Sequence, residues 1–191
     1  MEIVTERLIL RSLQLSDETV FLSLYNTPEV HHPKSPMVTR SRQTELFHLL
    51  VQQPPLLSPY LVLLIATQTD NCIGLLVLTL HNVPKSRECL GVIGIVLDPL
   101  WRGKGYGTEA CQATLPFLYE ERKTTWLMMG CPKSNIACQR MIEKLGFKPI
   151  SLARRAGLVA SGWVSPEELW YDLFSIQKGK IPHDEGPTGS I

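Results

Sequence analysis

The feature that most constrains the fold is a glycine-rich turn between a strand and a helix in the middle of the chain. Three glycines alternate within Gly103 to Gly107, after the strand-like run Glu88 to Leu97, and a helical pattern begins at Thr108. Alternating glycines let successive backbone N–H groups turn toward one point, and a helix start adds partial positive charge. Arg102 and Lys104 add fixed charge beside it. The segment therefore predicts a cradle for a diphosphate.

The composition is that of a folded protein with balanced charge. The chain has 191 residues and 21.5 kDa, with 19 Lys and Arg against 18 Asp and Glu, which gives a net charge of +1. This length predicts one domain over residues 1–177. We expect residues 178–191, which hold three Gly, two Pro and little to bury, to form a flexible tail. The balanced charge argues against nucleic acid as a partner.

The sequence also argues against a membrane span, a secretion signal and a metal site. Its longest apolar runs, Tyr60 to Ala66 and Ile73 to Leu80, are far shorter than the ~20 residues that span a bilayer. The N-terminus has neither the basic nor the apolar region of a signal peptide, so we expect a cytoplasmic protein. Five scattered cysteines without CxxC or CxxH spacing predict free thiols and no bound metal.

Hydrophobic periodicity predicts a mixed α/β (α+β) domain with the order β-α-α-β-β-β-α-β-α-β-β. Helices are expected to begin after Ser16, Thr39 and Asn135, which are residue types that cap helix N-termini. Gly146 is placed to end the last helix. The predicted strands are residues 7–13, 60–67, 72–80, 88–97, 124–131, 148–153 and 169–176.

Two common nucleotide-binding motifs do not fit the glycine turn. A P-loop requires GxxxxGK[ST], but Gly103-Lys104 is followed by Gly105 and residue 98 is not glycine. Gly105 to Ala110 has the form of a dinucleotide fingerprint. That fold needs an acidic residue about 20 positions later, and Thr125 to Met129 offers none.

Three segments instead resemble one family. Arg102-x-x-Gly105-x-Gly107 resembles the [RQ]xxGx[GA] pyrophosphate loop of the GCN5-related N-acetyltransferases, the GNAT superfamily. Thr5 to Arg11 resembles the TERLxLR opening of the branch that includes ribosomal-protein-alanine acetyltransferases, and Asn135 to Phe147 resembles its NxxSxxxxEKLGF helix. The resemblance covers nearly the whole chain. It implies the GNAT fold, a central and mostly antiparallel sheet of six to seven strands flanked by about four helices.

The resemblance implies acetyl-CoA (coenzyme A) as co-substrate and assigns residues to it. Loop amides would hold the pyrophosphate, and the strand edge before the loop would pair with the pantetheine arm. Asn135 would bind the arm, a role compatible with capping its helix. Arg140 is either a phosphate contact or part of a solvated face. The implied cofactor-binding residues are Ile95, Val96, Leu97, Arg102, Gly103, Lys104, Gly105, Tyr106, Gly107, Thr108, Asn135 and Arg140.

The catalytic candidates depart from the family pattern. The superfamily Tyr that protonates the leaving thiolate corresponds to Ile142, and the Ser of the ribosomal-protein branch corresponds to Cys138. The thiol of Cys138 is either a proton donor or a small buried helix residue. The Glu of the branch's EIGYxLDP pattern corresponds to Val92. The candidate bases are therefore Glu88, four positions earlier, and His31 in a proline-rich loop, with water-relayed deprotonation as the alternative.

The implied activity is direct transfer of an acetyl group from acetyl-CoA to a primary amine, by a monomer or homodimer. The apolar residues Val92, Ile95 and Ile142 favour a small-molecule amine, whereas the branch favours a protein N-terminal amine. A GNAT-fold protein that binds CoA without transfer is the further alternative. Residues 102–155 carry a net charge of +6 and the remainder −5. This asymmetry either steers an anionic ligand or makes a solvated basic face.

Overall fold

A computed structural model describes residues 1–27, 39–54, 57–69, 71–82, 89–150 and 171–177. Short 3-10 turns occupy Leu15–Asp17 and Pro99–Trp101. The helices are α1 (Glu18–Tyr25), α2 (Arg40–Gln52), α3 (Tyr106–Glu120) and α4 (Ile136–Lys144). The strands are β1 (Glu2–Val4), β2 (Leu8–Ser12), β3 (Tyr60–Thr67), β4 (Cys72–Asn82), β5 (Cys89–Leu97), β6 (Trp126–Pro132), β7 (Lys148–Pro149) and β8 (Tyr171–Gln177).

The described strands form one sheet in the order β1-β2-β3-β4-β5-β6-β8-β7. Every neighbouring pair is antiparallel except β5 and β6, which are parallel. The predicted mixed α/β class, mostly antiparallel sheet and four helices are confirmed. The described sheet has eight strands where six to seven are expected. The additional strand is β1, whose three residues are too few to show a periodicity.

Helices cover both faces of the sheet. One apolar cluster joins α3 and α4 to the sheet through buried residues such as Leu115, Ile142 and Ile93. The other joins α1 and α2 to the opposite face through Phe21 and Phe47. This two-sided cover explains why β3 is buried at every residue except its first and reads as a continuous apolar run.

The first helix does not begin as Ser16 predicts. A 3-10 turn comes before it, and α1 starts at Glu18. The carboxylate of Asp17 accepts hydrogen bonds from the Gln14 N–H at 2.7 Å and from the Arg11 guanidinium at 2.7 and 2.8 Å. The prediction was wrong because Asp17, and not Ser16, supplies the acceptor at this turn.

The other helix ends follow their predicted residues. Thr39 accepts a hydrogen bond from the Arg42 N–H, and Asn135 accepts one from the Cys138 N–H at 3.1 Å. Gly146 follows α4 with φ 86°, the left-handed conformation of a helix-ending glycine. Strands β3 and β4 pair as the predicted hairpin. The predicted tail over residues 178–191 lies outside the described residues and stays a prediction.

Candidate functional site

A cleft opens where β5 and β6 separate. The two strands pair only over Leu90–Ile93 and Trp126–Met129. Beyond this point β6 continues to pair with β8, while Gly94 to Leu97 pair only with β4 among the described residues. The second half of β5 therefore presents a backbone edge toward the cleft, available to a ligand that adds as an extended strand.

The glycine turn lies at the end of this exposed edge. The side chain of Asp98 accepts a hydrogen bond from the Leu100 N–H at 2.9 Å and starts the short turn after β5. The chain then reverses through Gly103 and Gly105, whose φ angles of 73° and 85° favour glycine. Helix α3 begins at Tyr106, two residues earlier than predicted. Gly105 stands at its N-cap with no side chain, so N–H groups at this helix start remain available to an anion.

Gly107 has a packing role that the motif does not reveal. A Cβ atom at this position would lie 3.0 Å from the Sδ of Met141, 3.6 Å from Leu97 Cδ1 and 3.8 Å from Ile95 Cδ1. The missing side chain thus lets the first turn of α3 approach both α4 and β5. This approach brings the glycine turn and the strand edge to one cavity.

The cavity has a volume of about 310 Å³. It is lined by Ile95, Val96, Leu97, Arg102, Gly103, Gly105, Gly107, Thr108, Asn135, Ala137, Cys138 and Met141. Nine of these are residues that the resemblance assigns to the cofactor, and Cys138 is the candidate proton donor. Ala137 and Met141 were not expected. Their spacing on α4 is the helical spacing of ordinary packing residues, so the sequence alone carries no signal that marks them.

Three residues assigned to the cofactor do not line the cavity. The Lys104 ammonium lies 5.1 Å from the centre of the Trp101 ring, and Tyr106 contacts the Arg7 guanidinium at 4.6 Å from its ring centre. Arg140 is exposed on α4. Arg102 lines the cavity, and its Nε donates to the Leu97 carbonyl at 2.9 Å, which ties the turn to the strand. Direct contacts of Lys104, Tyr106 and Arg140 with a cofactor stay predictions.

Thiols are concentrated beside the cavity. Cys138 is half-buried on α4, while Cys111 and Cys131 are fully buried behind it on α3 and β6. Burial raises the pKa of Cys138, and a hydrogen bond with Cys131 only partly opposes this effect. Burial, and then the neighbouring Cys138, raise the pKa of Cys111 to about 12. At neutral pH Cys138 is therefore a protonated thiol that lines the cavity, and its role as a proton donor stays a prediction.

The candidate bases His31 and Glu88 both lie outside the described residues. Val92, which stands where the branch has Glu, is half-buried. It shares its face of β5 with Val96, which packs in the α1 and α2 layer, because side chains alternate along a strand.

The described residues contain no group of three or more His, Cys, Asp or Glu arranged to hold a metal ion. Among them, no helix combines the length and the apolar character that a membrane crossing requires.

The split sheet, the glycine turn at a helix start and the cavity between them define a class of mixed α/β protein with a cleft at the point where two parallel strands separate. Residues 7–148 match the protein family described as "Acetyltransferase (GNAT) domain". The chain belongs to this GNAT acetyltransferase family. The predicted superfamily is thereby confirmed, while the ribosomal-protein branch stays a prediction.

Individual proteins of known sequence or structure are similar to this chain. An uncharacterized N-acetyltransferase of Bacillus subtilis, YnaD, is 34% identical over 82 residues, which cover 43% of this chain and 45% of that protein. The chain spans about half the length of the curated relatives it matches.

Solved structures share the fold. A spermidine N-acetyltransferase from Vibrio cholerae superposes with a TM-score of 0.68 at 15% identity, covering 92% of this chain and 96% of that one. A ribosomal-protein-S5-alanine acetyltransferase from Vibrio fischeri gives 0.67 at 17% identity, covering 95% and 100%. At such identities the likeness establishes the fold alone.

Proposed function

We propose that this protein is an acetyl-CoA-dependent N-acetyltransferase that moves an acetyl group to a primary amine by direct attack in a ternary complex. One observation carries the proposal: the exposed edge of β5 and the uncapped start of α3 open into the same cavity. An extended arm ending in a diphosphate needs both features, a strand edge for its amides and a helix start for its anion.

The described residues suggest how each part of the cofactor is held. The N–H groups from Gly103 to Thr108 bind the pyrophosphate, and the backbone of Ile95 to Leu97 pairs with the pantetheine arm. An N–H on this edge also stabilises the oxyanion of the tetrahedral transition state. Asn135 caps α4 with its Oδ1 and leaves its amide nitrogen for the arm.

Two protons move in this reaction, and Cys138 handles the second. A Lys-like amine has a pKa of ~10.4 and must lose a proton before it attacks. The departing CoA thiolate then takes a proton from the thiol of Cys138, which lines the cavity on α4. A CoA thiol and an unperturbed cysteine have similar pKa values of about 8.5, but burial raises the pKa of Cys138, so this transfer is uphill and the thiolate it leaves must regain a proton from solvent. The first deprotonation involves Glu88, His31 or water.

We propose a small-molecule amine of low polarity as the acceptor. The support is chemical: Val92 and Ile95 stand on β5 where the branch has Glu and an aromatic residue, and Ile142 is fully buried where the superfamily has Tyr. Of these three residues only Ile95 lines the cavity, and apolar side chains at all three positions supply no carboxylate or hydroxyl to a polycation or a hydrated peptide terminus.

The first test is calorimetric titration of the purified protein with acetyl-CoA, with NADH as the control. Saturable binding of acetyl-CoA without binding of NADH is the expected result. Failure to bind acetyl-CoA would overturn the proposed function altogether.

The second test measures thiol release from acetyl-CoA with a panel of acceptors: an apolar monoamine, spermidine and a peptide with an N-terminal alanine. We expect turnover with the monoamine. Turnover with the peptide alone would assign a protein acceptor instead. Tight binding of acetyl-CoA without turnover on any amine would favour a binding protein.

A further inference from the structure

The residues just before β2 hold the glycine turn from outside the cavity. The Glu109 carboxylate, in the first turn of α3, accepts hydrogen bonds from the Thr5 hydroxyl at 2.6 Å and the Arg7 N–H at 3.1 Å. The Arg7 guanidinium also binds it, at 2.6 Å through Nε and 2.5 Å through Nη2. We name Thr5, Arg7 and Glu109 the N-terminal clasp.

The Arg7 guanidinium also contacts the glycine turn directly. Its Nη1 donates to the Lys104 carbonyl at 3.0 Å, and its guanidinium stacks 4.6 Å from the centre of the Tyr106 ring. A Cβ on Gly105 would lie only 3.3 Å from the Arg7 Nη2. One side chain thus contacts three consecutive residues of the turn.

A second layer of contacts lies on the same outer surface. The rings of Trp101 and Tyr106 stand 5.8 Å apart, and the Lys104 ammonium covers the Trp101 ring at 5.1 Å. Arg7, Tyr106, Trp101 and Lys104 therefore form a row in which two neighbouring aromatic rings lie between two cations. None of these four residues is among those that line the cavity.

We propose that the N-terminal clasp positions the glycine turn for cofactor binding. Two glycines with positive φ make this turn costly to order, because glycine has more conformational freedom to lose than any other residue. If the turn already holds its binding conformation before the ligand arrives, the entropy lost on ordering it does not weaken binding. This inference rests on the proposed function insofar as the turn is the cofactor's site.

The clasp acts on the turn and not on the whole helix. Ala110, Cys111 and Leu115 already anchor α3 in the apolar core. The Arg7 side chain is 44% exposed and that of Glu109 19%, so their ion pair makes a small contribution to global stability. Loss of the clasp should therefore loosen residues 102–108 while the domain stays folded.

The decisive experiment compares Glu109→Gln with Glu120→Gln, the same change at the exposed opposite end of α3. Hydrogen exchange of residues 102–108 is measured without ligand, and the acetyl-CoA Kd and the Tm are measured on the same samples. For Glu109→Gln we expect faster exchange in this segment alone and an acetyl-CoA Kd raised by about tenfold, because affinity falls with the competent fraction. The Tm should fall by no more than about 4 °C. Glu120→Gln should match the wild type.

Arg7→Lys separates positioning from simple structural support. Lysine keeps the charge beside Glu109, but it lacks the planar fork that serves the carboxylate and the Lys104 carbonyl together. We expect a wild-type Tm with faster exchange in the turn. If Arg7→Lys shows both the Tm and the exchange rates of the wild type, the positioning role is overturned. Unchanged exchange in Glu109→Gln would overturn it as well. If the wild type does not bind acetyl-CoA, the proposed function fails, yet the exchange data still decide whether the clasp holds the turn.

Discussion

Cys138 and Asp17 are both shielded from water, but their pKa values move in opposite directions. Burial raises the pKa of Cys138, which keeps it a thiol. Burial also disfavours the charge on Asp17, but hydrogen bonds from Arg11 and the Gln14 N–H outweigh it and lower its pKa. Burial without an ionic partner among the described residues thus keeps the Cys138 thiol neutral beside the cavity, whereas hydrogen bonds from a guanidinium and a backbone N–H keep Asp17 charged.

Cys138→Ala should lower kcat and leave the acetyl-CoA Kd within about twofold of wild type. Loss of a general acid costs roughly 10²–10⁴ in rate. Because the pKa of Cys138 is raised, wild-type kcat should persist into the alkaline range and fall as the pH rises through that raised value. Steady-state kinetics against pH test this, with Cys72→Ala as control, since Cys72 packs in the opposite helical layer. Full activity of Cys138→Ala would make the residue structural.

Asp17→Asn should destabilise the fold by about 3 kcal/mol at neutral pH, because it leaves the Arg11 guanidinium without its bidentate partner. A lowered pKa means that Asp17 contributes its stability above its unfolded pKa of ~3.9 and loses it as the pH falls through the folded value. Urea unfolding should therefore show a large difference between variant and wild type at pH 7 that shrinks below about pH 4. An equal difference at both pH values would refute this assignment.

At the scale of the elements, local signals predicted the helix ends where one side chain decides them. Asn135 and Thr39 cap their helices, and Gly146 ends α4, because each interaction involves residues close in sequence. The prediction that Ser16 caps α1 was wrong because the neighbouring Asp17 accepts hydrogen bonds from the guanidinium of Arg11, which lies in β2. Strand β1 was not predicted because its three residues show no periodicity of their own and form a strand by pairing with β2.

The sequence predicts the glycine turn of the candidate site, but it does not predict the cavity that the turn opens into. The turn is contiguous, so Gly103 and Gly105 reveal it directly. The cavity instead depends on where β5 and β6 separate, and on the packing of Met141 in α4 against Gly107 in α3. Such pairings join residues far apart in sequence, and a single sequence carries no direct record of them. The clasp between Arg7 and Glu109 is hidden for the same reason.

Gly107→Val should abolish measurable acetyl-CoA binding and lower the Tm. A branched side chain would press on the Met141 Sδ, which stands 3.0 Å from the Cβ position, and would fill the cavity beside Leu97. Calorimetry and thermal unfolding measure the two effects. Gly94→Ala is the control for stability, because its Cβ would meet only Val77 at 3.9 Å. Unchanged affinity in Gly107→Val would refute the site.

On the scale of the whole molecule, charge is divided along the sequence although the net charge is only +1. Residues 102–155 carry a net charge of +6, and they include the glycine turn and all of α4. The remainder carries −5. We predict that such a division orients an approaching anion toward the turn before any contact forms, and steering of this kind affects the association rate more than the bound state.

The association rate of acetyl-CoA should therefore fall by about tenfold as salt rises from low ionic strength to about 0.5 M, because the Debye length shortens to a few ångströms. Acetyl-pantetheine, which has the same reactive arm without phosphates, should associate at a rate that salt leaves unchanged. Stopped-flow mixing of both ligands across a salt series measures this. Equal salt dependence for the two ligands would show that the positive half is a solvated face. A slope confined to acetyl-CoA would show that the charge asymmetry serves the proposed cofactor site.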